Sequence, residues 1–350
     1  MRLGLNIGYL TPWSTPDSLL ALAREADQLG FAVVWAAEAY GSDSPTLLSW
    51  IAAQTERIDI GSAVMQIPGR TPAASAMTAA TLDTLSGGRF RLGLGVSGPQ
   101  VSEGWHGVRF AKPLARTREY VDVVKLALSR KQVTYEGEFH TLPLPDGPGK
   151  ALRLNFHPLR TEIPVYLAAV GPKNLELAGE IADGWLAVFY APEFAQEQLG
   201  QIAAGRAKVG KTLDGFDIVP SVPVVIGDDV EMCAELVRAY AALYVGGMGS
   251  RQQNFYNQLA TRMGYGEAAA QVQELYLAGR QRDAAAAIPM EFIDRTSLLG
   301  PKDRIARRLR EFAESGVTTL SLALFVADAD SGRETLRTVA EAYAESGLGD

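Results

Sequence analysis

TPAASAMTAATLDTLSGG (71–88) runs directly into RFRLGLGVSG (89–98). The first stretch has a proline near its start and two glycines at its end, the asymmetry that favours a helix. The second is an apolar run that ends in glycines, which is typical of a strand buried on both faces. A helix that leads into such a strand is the repeating unit of α/β proteins with a parallel sheet.

The same alternation of apolar runs and amphipathic segments continues in both directions from this stretch. Eight is the number of strands that closes a (β/α) barrel, so we predict an α/β fold of the (β/α)8 TIM-barrel type. An open, doubly wound sheet is the alternative, because the same pattern serves both architectures. The predicted strands cover 2–10, 31–39, 58–67, 89–96, 164–171, 185–190, 217–227 and 317–325.

We predict one domain over 1–350, because we find no linker-like stretch that would separate two domains. Three insertions account for the length beyond the eight units. Residues 97–118 are predicted as a long loop that leads into a helix near Ala115. Residues 131–162 are predicted as a hairpin with an irregular segment, and residues 246–300 as a helical insertion rich in Gly, Gln and Ala.

Composition narrows the function classes. The net charge of -7 argues against a nucleic-acid partner, and no apolar run reaches the length of about 18 residues that a membrane span needs. The single cysteine, Cys233, has no partner for an intrachain disulfide, so we expect a cytoplasmic protein. His106, His140 and His157 lie far apart in sequence, and we therefore expect no metal site.

Residues 93–98 match G-x-G-x-x-G, the dinucleotide-binding pattern, letter by letter. That function needs a helix that opens within the motif, whereas Pro99 and a glycine-containing segment follow here. It also needs an acid at the end of a second strand, but Glu119 and Asp122 fall within a predicted helix. Two readings remain. The glycines allow a tight turn, or they let the backbone approach a flat ligand at the carboxyl end of the strand, where barrel active sites lie.

Several stretches of the chain carry a family resemblance. SGGRFRLGLGVSG (86–98) and AAVGPKNLELAGEIADG (168–184) are the most specific, and FAVVWAAEAYGSD (31–43) and YVGGMGS (244–250) add to them. Together they resemble the bacterial luciferase-like monooxygenase superfamily and, within it, the coenzyme F420-dependent oxidoreductases. The resemblance implies a barrel with a deazaflavin in its mouth, or FMN as the alternative cofactor.

The resemblance also implies where that cofactor lies. The ring would sit against the end of the third strand, with a non-prolyl cis peptide between Ala63 and Val64, while the fourth strand would line it from one side. The phosphate would meet the helix that Pro172 opens, since a free helix N-terminus suits an anion. The implied cofactor-binding residues are Glu38, Ser62, Ala63, Val64, Val96, Ser97, Gly98, Ala168, Ala169, Val170, Gly171 and Pro172.

The cofactor's acidic oligoglutamate tail would need basic partners. For each candidate the alternative is a solvated surface charge. The candidates are Lys112, Arg116, Lys173, Arg251 and Arg262.

The chain departs from the sugar-phosphate dehydrogenases that it resembles. Those enzymes end the second strand with an acid and a histidine, whereas this chain has Glu38 and Ala39. Gly98 stands where they carry a glutamate acid, so we do not expect sugar-phosphate oxidation. Glu38 is a candidate to orient the ring or donate a proton; alternatively it caps a helix or pairs with an arginine. His106, beside Trp105, is the second candidate proton carrier.

We predict an F420-dependent oxidoreductase that transfers a hydride between the deazaflavin and a small organic substrate. The absent histidine does not argue against redox function, because the cofactor carries most of the chemistry. Without that base, we expect the reductive direction, in which a hydride is transferred onto an activated C=C, C=N or C=O. An FMN-dependent monooxygenase and a non-catalytic flavin-binding barrel are the alternatives. The family resemblance also implies a homodimer.

Overall fold

The computed structural model describes residues 1–12 and 14–349. Its strands are β1 (Arg2–Gly8), β2 (Val33–Ala36), β3 (Asp59–Ser62), β4 (Met65–Gln66), β5 (Phe90–Gly95), β6 (Tyr135–Glu136), β7 (Thr141–Leu142), β8 (Val165–Ala168), β9 (Gly184–Val188), β10 (Asp217–Ile226), β11 (Leu298–Gly300) and β12 (Thr319–Leu324).

Eight parallel strands of this part of the chain form a closed ring. Their order is β1, β2, β3, β5, β8, β9, β10 and β12, and β12 returns to pair with β1. β4 continues β3 after a short break and pairs with β5, while β11 pairs with the end of β10. The predicted (β/α)8 barrel is confirmed. The open-sheet alternative is wrong, because pairing of β9 with β10 and of β1 with β12 leaves the ring no free edge.

The helices surround this ring. They are α1 (Pro16–Gln28), α2 (Ser44–Ala52), α3 (Pro72–Leu85), α4 (Pro99–Gly104), α5 (Pro113–Leu128), α6 (Pro172–Ile181), α7 (Ala195–Lys208), α8 (Val230–Ala242), α9 (Phe255–Ala260), α10 (Gly266–Leu277), α11 (Gln281–Ala286), α12 (Met290–Arg295), α13 (Lys302–Glu314) and α14 (Ala329–Glu345).

The unit α3–β5 shows how the sequence sets these elements. The hydroxyl of Thr71 accepts a hydrogen bond from the amide of Ala74, which caps α3 at its start. Gly87 and Gly88 have φ of 70° and 87° and end the helix in the left-handed region that suits glycine. Every residue of β5 is then buried, as the apolar run predicted.

The segment after the glycine motif differs from the sequence expectation. α4 begins at Pro99, directly after Gly98, and α5 begins at Pro113 and not near Ala115. The prediction of a loop between the motif and a helix near Ala115 is therefore wrong. A helix of six residues is too short for a helical period to show in sequence, although Pro99 at its first position is a start signal.

The insertions and the strand ends add further differences. A two-stranded hairpin, β6–β7, lies within residues 131–162, and α9–α12 with β11 lie within residues 246–300. The amphipathic helix α13 was not assigned from the sequence. The predicted strands were mostly too long, because apolar burial continues past the paired residues. Phe189 and Tyr190, for example, are buried beyond the end of β9.

The amino end of the barrel is closed by a polar network around Asp217. Its carboxylate accepts hydrogen bonds from Arg91 at 3.1 Å, Tyr166 at 2.9 Å, Arg2 at 3.0 Å and Thr319 at 2.8 Å. Each partner comes from a different strand. The network therefore ties β1, β5, β8, β10 and β12 together at one end.

The barrel interior above that network is filled by aromatic side chains. The rings of Trp35 and Tyr166 meet edge to face, with centroids 5.2 Å apart. A side chain at Gly61 would overlap the Trp35 ring, so a glycine is needed there for Trp35 to fill the interior.

Among the described residues, no helix is both long and apolar enough to cross a membrane.

Candidate active site

The third strand is interrupted at the carboxyl end of the barrel, which we call the mouth. β3 ends at Ser62, the peptide bond between Ala63 and Val64 is cis, and β4 resumes the pairing. The resemblance implied this cis bond, and the structure confirms it. The Ser62 hydroxyl donates to the Gly93 carbonyl at 2.8 Å and accepts from the Gly93 amide at 2.9 Å. Ser62 is fully buried, so its side chain joins β3 to β5.

Two glycines of the G-x-G-x-x-G motif at residues 93–98 make room for this interrupted strand. A side chain at Gly93 would overlap the Ser62 carbonyl, and a Cβ at Gly95 would lie 2.5 Å from the Cγ2 of Val64. Both glycines therefore accommodate the neighbouring strand, a role that the sequence analysis did not consider beside a tight turn or the approach of a flat ligand. Gly98 differs, because a Cβ there would lie at an ordinary 3.5 Å from the side chain of Gln100.

The carboxylate of Glu38 binds four donors just past the end of β2. Both of its oxygens receive a guanidinium nitrogen of Arg70 at 2.8 Å. The amides of Ser44 and Gln66 donate to it at 3.1 and 3.2 Å. The alternative offered from the sequence, an arginine partner and a helix cap, describes this geometry. Glu38 acts as an acceptor that fixes the loops after β2 and β3, and the geometry gives no support to proton donation.

Arg70 forms an ion pair with a second acid besides Glu38. Its guanidinium also contacts the carboxylate of Asp43, which caps α2 through the amide of Thr46 at 2.8 Å. Burial acts to lower the pKa of Arg70, but the hydrogen bond to Glu38 and the charges of both acids outweigh it and raise that pKa. The two acids thus keep Arg70 charged at the edge of the mouth.

A second hydrogen-bonded chain crosses the mouth through Gln66. The Gln66 amide nitrogen donates to the Ser97 hydroxyl at 2.7 Å, and its amide oxygen lies 2.8 Å from Nε2 of His106. Because that oxygen is an acceptor, Nε2 of His106 is the donor. The Ser97 oxygen accepts from Gln66, so its own hydrogen points elsewhere. Ser97 has a φ of 59°, a left-handed conformation that is uncommon outside glycine.

The end of β8 forms another part of the candidate site. Gly171 precedes α6, whose first residue is Pro172, and no side chain in the described part of the chain caps that helix start. Ala169 is buried and its carbonyl accepts from the Trp185 indole at 2.8 Å. Ala168 and Val170 are half-buried. A helix start of this kind presents free amides to an anion.

A family model described as luciferase-like monooxygenase matches residues 5–319. The chain belongs to this family. A Mycobacterium tuberculosis protein, provisionally named a coenzyme F420-dependent oxidoreductase, is 44% identical over 329 residues, which are 91% of this chain and 94% of that protein. The match extends over nearly the whole of both chains, so the chain is an oxidoreductase of the luciferase-like family.

More distant relatives have related names. A 5,10-methylenetetrahydromethanopterin reductase from Archaeoglobus fulgidus is 29% identical over 299 residues, 84% of this chain and 85% of that protein. The solved structure of a coenzyme F420-dependent tetrahydromethanopterin reductase from Methanopyrus kandleri superposes with a TM-score of 0.82. It is 24% identical and covers 97% of each chain. This structural likeness supports the luciferase-like barrel fold.

The basic residues expected to meet a cofactor tail are dispersed in this luciferase-like protein. Arg262 donates to the Val170 carbonyl at 3.1 Å, so the insertion reaches the end of β8. Lys112 pairs with Glu138 at 2.6 Å. The guanidinium of Arg116 lies over the ring of Phe139, and Lys173 and Arg251 are exposed.

Gln66 and Arg70 were missed in the sequence analysis. Gln66 is polar and lies at the end of the third apolar run, and Arg70 follows that run, which is the signal that could have pointed to the mouth. Their partners lie 27 to 40 residues away in sequence, which no local pattern reveals. Within residues 1–12 and 14–349, no group of three or more His, Cys, Asp or Glu is arranged to hold a metal ion.

Proposed function

We propose that this protein is a coenzyme F420-dependent oxidoreductase that reduces an activated C=C, C=N or C=O bond of a small organic substrate. The observation that carries the proposal is the chain from His106 through Gln66 to Ser97 beside the interrupted third strand. It gathers hydrogen-bond donors at the barrel end where such enzymes act. The name of the 44%-identical relative supports the choice of cofactor.

The residues at the mouth fit a flat ring with an anionic chain. The half-buried residues Ala63 and Val64 offer one face, and Ser97 offers a hydroxyl beside it next to Gly98, which has no side chain. Gly171, at the uncapped start of α6, would hold the phosphate through backbone amides. Once bound and reduced, the deazaflavin supplies a hydride.

The protein's own groups provide position and a proton. Gln66 is 4% exposed and fixes both the Ser97 hydroxyl and the imidazole of His106. The Ser97 hydrogen is free to bond an acceptor on the ring or the substrate. His106 is half-buried in a loop after α4, and it is the group at the mouth suited to carry a proton from solvent.

Cofactor titration tests the proposal. Separate portions of protein are titrated with F420 and with FMN while quenching of tryptophan fluorescence is followed. We expect saturable quenching by F420 at much lower concentration than by FMN. Tight FMN binding without a response to F420 would sink the proposal and favour an FMN-dependent monooxygenase of the same family. Binding of F420 without oxidation of its reduced form by any enone, imine or quinone would favour a non-catalytic barrel.

A further inference from the structure

An open cleft lies at the mouth, beside the turn that follows β4. It contains about 250 Å³ of empty space and is open to solvent. Its walls are residues 67–68, Val96 and parts of the segment 102–116. We call this space the side cleft. Pockets that enclose a whole small molecule hold about 300–1,000 Å³, so the side cleft has room for one end of a ligand.

Most of the side chains that line the side cleft are apolar. They come from the turn after β4, from the end of β5 and from the segment that leads into α5. A hydrocarbon chain or ring of a ligand would be stabilised between them, because apolar surface is removed from water on both sides. The apolar lining residues are Ile67, Pro68, Val96, Phe110, Ala111 and Pro113.

The polar lining residues of the side cleft carry positive charge. They are Ser102, Arg109 and Arg116, and none of the described residues that line it is an acid. Ser102 is 3% exposed and its hydroxyl donates to the Val108 carbonyl at 2.7 Å, so it serves the loop. The two arginines are left to face a ligand. Two guanidinium groups among apolar walls suit an anion with an apolar stem.

Arg116 has no acidic partner in the protein. Its guanidinium carbon lies 4.5 Å from the centroid of the Phe139 ring, which orients the group. Its Nε is enclosed without a hydrogen-bond partner, and within residues 1–12 and 14–349 the side chain forms no ion pair. The acid one turn further along α5, Glu119, accepts instead from the backbone amides of residues 138–140 at 2.8–3.0 Å. The charge of Arg116 is therefore available to a carboxylate.

Arg109 lies at the rim of the side cleft. Glu103 lies 3.8 Å from its guanidinium, and the same carboxylate accepts from the amide of Phe110 at 3.0 Å. The Arg109 side chain is 82% exposed, so this ion pair is weak and leaves the arginine free to turn towards a ligand. Glu103 thus holds the backbone in place while Arg109 remains mobile.

The walls of the side cleft continue into the hydrogen-bonded chain of the mouth. Val96 directly precedes Ser97, and Pro68 directly precedes Gly69. A Cβ at Gly69 would lie 3.2 Å from Cε1 of His106, so the imidazole packs against this turn. Neighbouring Cα atoms are about 3.8 Å apart. A ligand with its charged end in the side cleft therefore reaches the mouth through a short stem.

We infer that the side cleft binds a carboxylate at one end of the substrate. Arg116 and Arg109 pair with the carboxylate, the apolar walls cover a short stem, and the reducible bond lies beside Ser97. The substrates are then acids in which an apolar stem joins a carboxylate to the activated double bond. This inference rests on the proposed function for the reduction. Binding of the carboxylate depends on the protein's own residues alone.

The acidic tail of F420 is the other source of carboxylates. That tail is charged along its length, whereas the side cleft is mostly apolar and has its positive charge in two side chains. The position also differs, since the side cleft lies past the ends of β4 and β5 while the uncapped start of α6 follows β8. Both differences favour the substrate as the occupant.

The test compares Arg116→Gln and Arg109→Gln with the control Arg24→Gln. Each variant loses one positive charge, but Arg24 is exposed on α1, where it bonds Gln54 at 2.9 Å. The probes are trans-4-(4-carboxyphenyl)but-3-en-2-one and trans-7-oxooct-5-enoic acid, each with its methyl ester, which removes the charge. Affinities are measured by calorimetry without cofactor, and circular dichroism checks that each variant is folded.

We expect at least one acid to bind the wild type and Arg24→Gln equally, and more tightly than its ester. Arg116→Gln should bind that acid about tenfold or more weakly, because a charged hydrogen bond is lost. Arg109→Gln should weaken it about two- to fivefold, since that side chain is exposed. The esters should not distinguish the four proteins.

Three outcomes would overturn the inference. Neither acid binds the wild type more tightly than its ester, or acid affinity in Arg116→Gln equals that in Arg24→Gln. If Arg116→Gln does not fold, Arg109→Gln decides the matter, and unchanged acid affinity in that variant is the third outcome.

F420 separates this inference from the proposed function and from the tail. F420 should bind Arg116→Gln as it binds the wild type. A loss of F420 affinity in Arg116→Gln with unchanged acid affinity would assign the side cleft to the tail and overturn the inference. If F420 binds neither protein while acid affinity depends on Arg116, the proposed function fails and carboxylate binding stands. If F420-dependent reduction of the acids has the same kcat/KM in Arg116→Gln, the inference fails and the proposed function stands.

Discussion

The two ends of the barrel use the same strands in opposite ways. At the amino end, Asp217 and Arg91 belong to a buried network in which the charges are paired. At the mouth, the chain contains left-handed backbone at Ser97 and Phe189, and half-buried polar groups. Unusual backbone and reachable donors mark the end that meets a ligand, whereas saturated pairing marks the end that holds the fold.

This contrast separates stability from function. Changes at the amino end should lower the free energy of unfolding and leave ligand affinity intact in the folded fraction. Changes at the mouth should alter binding or turnover first.

Asp217→Ala should have the largest effect. It removes one of the two carboxylates that pair with the buried Arg91, the other being Asp59, and it also removes the acceptor of Tyr166. Breaking a buried pair in this way costs about 3–5 kcal/mol of unfolding free energy. Urea denaturation followed by circular dichroism measures it. Asp303→Ala, an exposed i,i+4 partner of Arg307, is the control and should stay within about 0.5 kcal/mol of the wild type. A loss below that control would refute the stabilising role of the amino end.

Gly95→Ala should come next, because its Cβ would press on Val64 at 2.5 Å. Overpacking of this kind lowers the unfolding free energy by about 1–3 kcal/mol. The displacement of Val64 in the interrupted third strand should also weaken F420 binding in the fluorescence titration. Gly200→Ala in α7 is the matched control, since a Cβ there meets no described atom within 4 Å. Its stability should be unchanged or higher by up to about 1 kcal/mol. Unaltered F420 affinity in Gly95→Ala would show that the interrupted third strand is not part of the cofactor site.

Gln66→Met should reduce turnover more than stability. The variant keeps the side-chain volume but releases Ser97 and His106. We expect kcat for enone reduction to fall roughly tenfold or more, while F420 affinity changes little. Steady-state kinetics measures this with Gln273→Met in α10 as the control. A fall in F420 affinity with unchanged kcat would assign Gln66 to cofactor binding and not to catalysis.

The smallest effect concerns acid stability at Asp27, which lies near the end of α1. Burial acts to raise the pKa of Asp27, but hydrogen bonds from the amides of Glu56, Arg57 and Ile58 outweigh it and lower that pKa. The folded protein therefore binds this proton less readily than the unfolded chain. The stabilisation is present above the ordinary pKa of about 4 and is lost as pH falls below it.

Asp27→Asn removes this proton-linked term. Its unfolding free energy should depend less on pH than that of the wild type between about pH 5 and about pH 3. Turnover near neutral pH should not change. Parallel acid slopes for the two proteins would show that Asp27 contributes nothing to the pH dependence.

Features that depend on neighbouring residues in the sequence were predictable, whereas features that depend on contacts between distant residues were not. The eight strands were predictable because an apolar run and the helix beside it are local patterns, as in α3–β5. The role of Gly95 was not, because its partner Val64 belongs to another strand. α4 was missed because six residues show no period. The cis bond between Ala63 and Val64 was expected only because of the family resemblance, since no local property of these residues predicts it.

The candidate site was only partly predictable for the same reason. Ser97 and His106 were named from the sequence, but Gln66, which joins them, gains its meaning only when the mouth assembles. Glu38 was expected at the mouth, and the arginine partner considered for it from the sequence proved to be Arg70. The ring contacts of Phe189 with Tyr240, Tyr244 and Tyr256 join the end of β9 to α8, to the turn after α8 and to α9, so a linear motif such as YVGGMGS gave no hint of them.

The most direct test of the account is hydride transfer itself. Protein and reduced F420 are mixed without oxygen with each member of a panel of enones, imines and quinones, and the absorbance of oxidised F420 is followed together with the reduced product. We predict that oxidised F420 and product appear in equal amounts with the wild type, and much more slowly with Gln66→Met. If reduced F420 persists with the wild type, or is consumed at the same rate by Gln66→Met, the mouth does not perform the reduction that we assign to it.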